Sequence, residues 1–477
     1  MRRTEWLLVE NGNVLDATGS PVQPETSVLV QGDRIVAVGR DLDGRVPRDA
    51  SVTRIDATGK TVMPGMIDAH CHMTYGESRS EEEIDLYTSP ESRTLKAAFH
   101  AQKVLRAGVT SISQPGGSYY IGVGLRDAIK DGMIQGPRMT AAGRYITTSN
   151  GLTDWYPDSV GVPEGSIGIL ANTPMEMISE IRHQVKNGVD LIKLADSPFG
   201  DYQSFTNDEM KIVTDLAHQL GKKVTIHARG SAEVGAAVDA GIDWIMHGNQ
   251  MTDDVIERLA ESRTPLVPTL LLLANVADWG RRAGAPIPLV DAMARALDKT
   301  APTLHRAHEA GVVFVTGTDS GFSVTPYGEW HARELELLMD YAGLSAMEAV
   351  QAATTNAAVT LNLDGQLGTL EGGMIADIIV VDGDPLQNIR VLQDKRNILA
   401  VIQDGAPVSF DEQMLARRWP HDRGQTYSTS DITYDLIYGD GAEELAEAAP
   451  GMGWDRDEQA DVVSTVRRRE ANAVMPD

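Results

Sequence analysis

The sequence predicts an α/β architecture: a (β/α)8 barrel joined to a small β-sandwich built from both chain ends. Three observations predict it. Short apolar runs, mostly β-branched, recur along the middle of the chain with helix-like segments between them, the pattern of buried parallel strands. Histidine, lysine and aspartate stand in or at the ends of these runs, where a barrel assembles its active site. On either side the period changes to short strand-like segments separated by turn dipeptides.

In chain order, Trp6–Val9, Ser27–Val30 and Arg34–Val38 read as strands, with turns at Asn11-Gly12 and Gly32-Asp33. The barrel strands are expected at Met63–His72, Thr110–Gln114, Arg138–Tyr145, Leu191–Asp196, Val224–His227, Trp244–His247, Pro265–Leu270 and Val312–Asp319. Helices are expected at Leu95–Ala107, Pro174–Asn187, Asp208–Leu220, Ala232–Ala240, Asp253–Ser262 and Met293–Ala310. Gly108, Gly188, Gly221, Gly241 and Gly311 follow helical segments, where a left-handed cap is wanted. Strand signals return at Gly368–Leu370, Ala376–Asp382 and Ile398–Gln403, with a turn at Asp404-Gly405. Residues 1–60 and 365–410 are therefore expected to form the sandwich and 61–364 the barrel. Residues 411–477 form an acidic extension carrying Trp419, Tyr427, Tyr434, Tyr438 and Trp454. It is expected to wrap this chain or a neighbouring subunit, or to be partly disordered.

The chemistry begins at His70-Cys71-His72. In an extended strand His70 and His72 share a face while Cys71 points away as a packed thiol. Two converging neutral imidazoles make half a site for zinc or a similar divalent ion. Downstream, Lys193, His227, His247 and Asp319 extend the set to six ligand-type side chains on successive strand ends. Lys193 has a plainer reading as a surface lysine, against which its apolar neighbours argue. His100, His183, His218, His305 and His308 fall in helical segments and read as surface or packing residues; for His331, after the loop of the last barrel strand, approach to the pocket is the less favoured reading.

Composition sets outer limits. A net charge of −26 argues against nucleic-acid binding, which needs a basic face. The single cysteine excludes an intrachain disulfide, and no run is long enough to span a membrane. A cytoplasmic enzyme with a small-molecule substrate, homo-oligomeric, is expected.

Pro64-Gly65-Met66-Ile67-Asp68-Ala69-His70-Cys71-His72 resembles the opening metal motif of the amidohydrolase superfamily. Gly108-Val109-Thr110-Ser111, Leu125-Arg126-Asp127-Ala128-Ile129 and Gly136-Pro137-Arg138 are similar to its imidazolonepropionase-like branch, which includes metal-dependent dipeptidases. His247-Gly248 and Thr318-Asp319-Ser320-Gly321 also fit it. The resemblance covers roughly Trp6 to Pro407. It implies a metal-dependent hydrolase acting on amide-type C–N bonds. His70, His72 and Asp319 would hold one metal and His227 and His247 a second, with zinc expected in both places for imidazole ligands. Lys193, carboxylated by carbon dioxide, would bridge them. Metals about 3.5–4 Å apart would activate water and polarise a carbonyl, with Asp319 carrying the proton.

Alternatives follow from the same residues. A one-metal deaminase usually places glutamate three residues past the histidine matching His227, where this chain has Gly230. In place of a Gly-Gly-His element found in relatives stands Thr147-Thr148-Ser149-Asn150-Gly151-Leu152. Tyr145, Trp155 and Tyr156 either line an aromatic-accepting pocket or pack that loop. Arg229 either pairs a substrate carboxylate or forms a salt bridge within the site. A carboxylate contact suits a dipeptide or N-acyl amino acid; the aromatic loop suits an anilide, carbamate or urea. A metal-free assembly scaffold would require gaps in the ligand set, and Gly122-Val123-Gly124 does not open a dinucleotide-binding unit.

Overall fold

The structure, a computed structural model, describes residues 6–417, 428 and 430–439. It is a mixed α/β fold in which two parallel sheets carry the site residues. One runs, in spatial order, Gly168–Leu170, Tyr145–Thr147, Leu191–Ala195, Lys223–Gly230, Trp244–Gln250 and Leu266–Val267; the other runs Met66–Asp68, Val109–Gln114 and Arg138–Ala141. Every pairing within them is parallel. Backbone bonds continue past the sheet edges. Asp190 N donates to Ala141 O at 2.8 Å, Leu266 N to Val313 O at 2.9 Å, and Ala69 N to Thr316 O at 2.9 Å.

Several expected strands are shorter or divided. Met63–His72 breaks at Gly65, so that Thr61–Pro64 pairs with Ile378–Val381 in the terminal sheet while Met66–Asp68 pairs with Val109–Gln114. A Cβ at Gly65 would lie 2.2 Å from the Thr110 hydroxyl, so only glycine lets the chain pass between the sheets. Arg138–Tyr145 divides into Arg138–Ala141 and Tyr145–Thr147. The Val312–Asp319 segment makes only isolated bridges, such as Leu266 with Phe314. Gly368–Leu370 is not a strand, and Leu370 N instead donates to Asp16 O at 3.1 Å.

Both chain ends contribute to one eight-stranded sheet, with Trp6–Val14 and Gln23–Gln31 from one end and Ile378–Val381 and Ile398–Gln403 from the other. Alternation of side chains across the strand explains its two covered faces. Leu7 and Val9 pack with Val28, Val30, Ile378 and Val380, whereas Trp6 and Leu8 pack with Leu29 and Ala37. Ile379 and Val381 face the main core instead.

Part of the acidic extension packs on this same chain. Trp330 Nε1 donates to Ile432 O at 2.6 Å, Ile432 N to Ser323 O at 3.0 Å, and Tyr434 N to Glu329 Oε2 at 3.2 Å. Tyr434 and Tyr438 lie against the fully buried Trp330 ring, whereas Trp419, Tyr427 and Trp454 fall outside the described residues. Trp330→Ala is expected to destabilise the fold by about 3–5 kcal/mol, since it removes a buried indole from a site closed on several sides. Urea denaturation of the variant, read by circular dichroism, checks this.

Candidate metal centre

The six expected residues converge on one cavity of about 670 Å³, whose lining includes His70, His72, Lys193, His227, His247 and Asp319. His70 and His72 lie just past the Met66–Asp68 strand, where the chain turns under the control of Asp68. The Asp68 carboxylate accepts from His70 N at 3.0 Å, Thr318 N at 3.1 Å, Thr318 Oγ1, and His331 Nδ1 at 2.7 Å. One buried acid thus ties the turn carrying His70 to the segment carrying Asp319.

Hydrogen bonds fix the ring orientations. His72 Nδ1 lies 2.8 Å from Gly116 O; a carbonyl can only accept, so Nδ1 carries the hydrogen and Nε2 keeps its lone pair. That Nε2 stands 3.1 Å from Asp319 Oδ1, and His70 Nε2 stands 3.5 Å from the same oxygen. His70 Nδ1 is 3.0 Å from Thr269 Oγ1. The His227 and His247 ring centres are 4.3 Å apart, and those of His70 and His247 5.4 Å. His247, Thr269 and Asp319 all adopt left-handed backbone conformations, with φ of 80°, 57° and 55°. Non-glycine residues take this region at a cost, and such strain concentrates at functional sites.

Burial drives the imidazoles of His70, His227 and His247 well below their ordinary pKa, which keeps them neutral and able to ligate. Lys193 is almost fully buried; its Nζ meets the Met246 thioether, and burial lowers the ammonium to about 7. For Asp319, burial favours the neutral acid, but the neighbouring His70, His72 and Lys193 outweigh it and hold the carboxyl below its usual range.

These residues fit a divalent cation. Ligand atoms of His70, His247 and Asp319 all lie within 4.8 Å of one another. Among the described residues His227 Nε2 and both nitrogens of His247 are buried without a hydrogen-bond partner, an arrangement that costs free energy unless something accepts the one lone pair that each neutral ring carries. Neutral imidazoles beside one carboxylate are the donor set that such an ion satisfies.

Of the expected substrate contacts, Tyr145, Trp155 and Arg229 line the cavity and Tyr156 does not. Trp155 is anchored by its indole N–H, 3.1 Å from Asp85 Oδ2. Arg229 donates through Nη1 to Asn249 Oδ1 at 2.6 Å, and among the described residues it makes no ion pair. Phe199, Tyr202, Leu272, Leu273, Met293 and Phe322 complete an apolar wall. His331, whose approach to the pocket is the less favoured reading of the sequence, lies on Asp68 outside the cavity lining.

The supporting polar groups were not assigned from sequence. Asp68 could have been suspected from its place two residues before His70. Glu334 gave no such signal: it accepts from Leu270 N and Leu271 N, each at 2.9 Å, and burial raises its carboxyl to about 8. It caps the Leu271–Trp279 helix, which forms one cavity wall.

Parallel strands and the segments beside them that bring imidazoles, a buried lysine and a carboxylate to one cavity define a hydrolytic enzyme of the α/β class. The amidohydrolase family model matches residues 61–408, and the chain belongs to that family. It is similar to ochratoxinase of Aspergillus niger, 26% identical over 432 residues covering 83% of this chain and 85% of that protein. It is also similar to imidazolonepropionase of Symbiobacterium thermophilum, 25% identical over 467 residues covering 88% and 100%. A solved Xaa-Pro dipeptidase structure with methionine bound in its active site superposes with a TM-score of 0.74 and 29% identity, covering 85% of this chain and all of that one. The chain is a hydrolase of amide-type C–N bonds.

Proposed function

We propose that the chain is a two-metal amidohydrolase that releases an amino acid or arylamine from an N-acyl amino acid, dipeptide or anilide bearing a large apolar group. The observation that carries this reading is the convergence of six ligand-type side chains at the floor of a cavity with an apolar wall and a buried guanidinium. In this reading His70, His72 and Asp319 would hold one ion and His227 and His247 the other, and Lys193 would serve both as a carbamate. A neutral amine is what adds carbon dioxide, and burial of Lys193 favours that form. Zinc suits a set dominated by neutral imidazole. When bound, the ions polarise the scissile carbonyl and lower the pKa of water.

The chain's own residues do the rest. Asp319, kept ionised by its neighbours, accepts a proton from the attacking water and returns it to the leaving nitrogen. Arg229 lies in the cavity lining and, among the described residues, its Nη1 is bonded to the neutral Asn249 amide, so it is available to pair a carboxylate on the leaving group. Trp155, Phe199, Tyr202 and Met293 offer an apolar surface for the acyl group. The similarity to a Xaa-Pro dipeptidase supports the dipeptide member of this substrate class.

The scaffold reading is a (β/α)8 barrel over residues 61–364. It is supported by the backbone bonds that carry the two parallel sheets across Asp190–Ala141, Leu266–Val313 and Ala69–Thr316. A sandwich of residues 1–60 and 365–410 is supported by the close approach of the Gly405 turn to the Gly32 turn.

A panel of N-acyl amino acids, dipeptides, anilides and carbamates, read for amine release before and after chelation, tests the function. Full activity in a verified metal-free protein would overturn it. Arg229→Met is expected to raise KM about tenfold or more for substrates with a free carboxylate, with a much smaller effect on neutral anilides. Equal effects on both classes would remove Arg229 from substrate recognition.

A further inference from the structure

Two phenols stand beside the candidate ligand histidines, and together they carry one hydrogen more than their mutual bond uses. Tyr75 and Tyr145 hydroxyls are 2.6 Å apart, both side chains are almost fully buried, and both line the cavity. Two O–H groups sharing one hydrogen bond leave a second hydrogen to be placed. Among the described residues, the other groups in hydrogen-bonding range of Tyr145 are the nitrogens of His72, at 3.1 Å for Nδ1 and 3.0 Å for Nε2. Nδ1 already carries the hydrogen it gives to Gly116 O. Nε2 has one lone pair, which faces Asp319 Oδ1 at 3.1 Å and is the ligand electron pair in the proposed centre. With that pair committed, and with Tyr75 donating to Tyr145 in their shared bond, the Tyr145 hydrogen has no acceptor among the described residues and faces the cavity that both phenols line.

We infer that Tyr145 is a catalytic hydrogen-bond donor to the oxygen of the scissile carbonyl, held in place by Tyr75. The inference rests on the amide-hydrolysis reading. Water oxygen adds to the carbonyl carbon as the π pair moves onto the carbonyl oxygen, and Asp319 takes the proton that water loses. Tyr145 donates a hydrogen bond to that oxygen and keeps its proton. The pair then re-forms the carbonyl as the C–N bond breaks, and the nitrogen receives the proton from Asp319. Preorganised donors aimed where charge develops strengthen as the reaction proceeds, so they act on kcat more than on KM. The packing suits this role. Tyr75 stacks on His72 with ring centres 4.4 Å apart, and a Cβ at Gly116 would fall 1.8 Å from the Tyr145 ring, so the glycine makes room for it.

The test compares Tyr145→Phe and Tyr75→Phe with the wild type, each loaded with zinc and checked for metal content and melting temperature. Two probes are titrated calorimetrically: N-methylphosphonyl-L-phenylalanine, a tetrahedral anion, and the planar product L-phenylalanine. For Tyr145→Phe, kcat is expected to fall about 100-fold, with the phosphonate bound correspondingly more weakly and phenylalanine bound as before. Tyr75→Phe should show the same pattern at a smaller size, because the donor remains but is no longer held. Unchanged kcat and unchanged phosphonate affinity in a metal-replete Tyr145→Phe would overturn the inference. Equal weakening of both probes would also overturn it, by making Tyr145 part of the cavity wall only. Should Tyr145→Phe fail to fold, the contrast between probes in Tyr75→Phe decides. A wild type that cleaves no amide and ignores the phosphonate would instead sink the parent reading.

Discussion

Asp319→Asn is expected to lower kcat by about 10³- to 10⁴-fold while leaving KM nearly unchanged. The carboxylate is the one negative group facing His70 Nε2 and His72 Nε2, at 3.5 and 3.1 Å among the described residues. An amide in its place offers an oxygen of the same size but cannot take a proton from water near neutral pH. Asparagine is the informative replacement because Asp319 sits at φ 55°, a conformation that asparagine also tolerates. Alanine there would add backbone strain and confound the measurement. The pH dependence follows from the environment. In the metal-free protein His70, His72 and Lys193 outweigh burial and hold the Asp319 carboxyl low, and a bound cation would favour the carboxylate in their stead, so wild-type activity should not fail through protonation of this group until well into acid. The checks are steady-state kinetics on the best substrate of the panel and zinc content of both proteins. An asparagine variant that keeps its metal and turns over at the wild-type rate would remove Asp319 from the proton transfers.

The candidate ligand residues were readable because each chemical requirement leaves a local mark. A metal site in a parallel fold needs histidine or carboxylate at strand ends, and β-branched runs reveal the strands. Capping glycines mark where helices stop: Gly108, Gly188, Gly221, Gly241 and Gly311 all take positive φ, between 71° and 86°. Interruptions inside apolar runs were less legible. Gly65 and Gly143 divide continuous-looking stretches because the chain must change partners there, and only the spatial neighbour reveals it. At Gly65 that neighbour is Thr110 and at Gly143 it is Gln184. Val312–Asp319 reads as a strand by composition, yet its end turns left-handed at Asp319 to aim the carboxylate inward. The groups under the centre were hidden for another reason. Asp68 meets His331 across 263 positions of sequence, and a polar contact of that span has no periodicity to betray it. Tyr145 was legible as an aromatic on a strand, but its pairing with Tyr75 needed the two hydroxyls in space.

Lys193→Met should act in opposite directions on the loaded and metal-free proteins. In the loaded enzyme it removes the group proposed to bridge the ions, so metal affinity and hydrolysis should each fall by about 10²-fold or more. In the metal-free protein the lysine is a liability. Burial lowers its pKa from 10.5 to about 7, so between those values the folded chain binds fewer protons than the unfolded chain. Stability therefore rises with pH across that window, and below about pH 7 the folded state carries the whole penalty, of order 3–5 kcal/mol. Methionine fills a similar volume with no charge to bury. Metal-free Lys193→Met is thus expected to resist urea better than the metal-free wild type near pH 6, with the advantage shrinking as alkali neutralises the lysine. Carbamate formation requires the same free amine, so reloading the wild type with zinc in bicarbonate should become more complete as pH rises through about 7. Denaturation curves at several pH values, together with intact-mass measurement of bound carbon dioxide, separate the two effects. If the methionine variant gains no acid stability without metal, the burial argument fails; if it keeps both metal and turnover, Lys193 is no bridge.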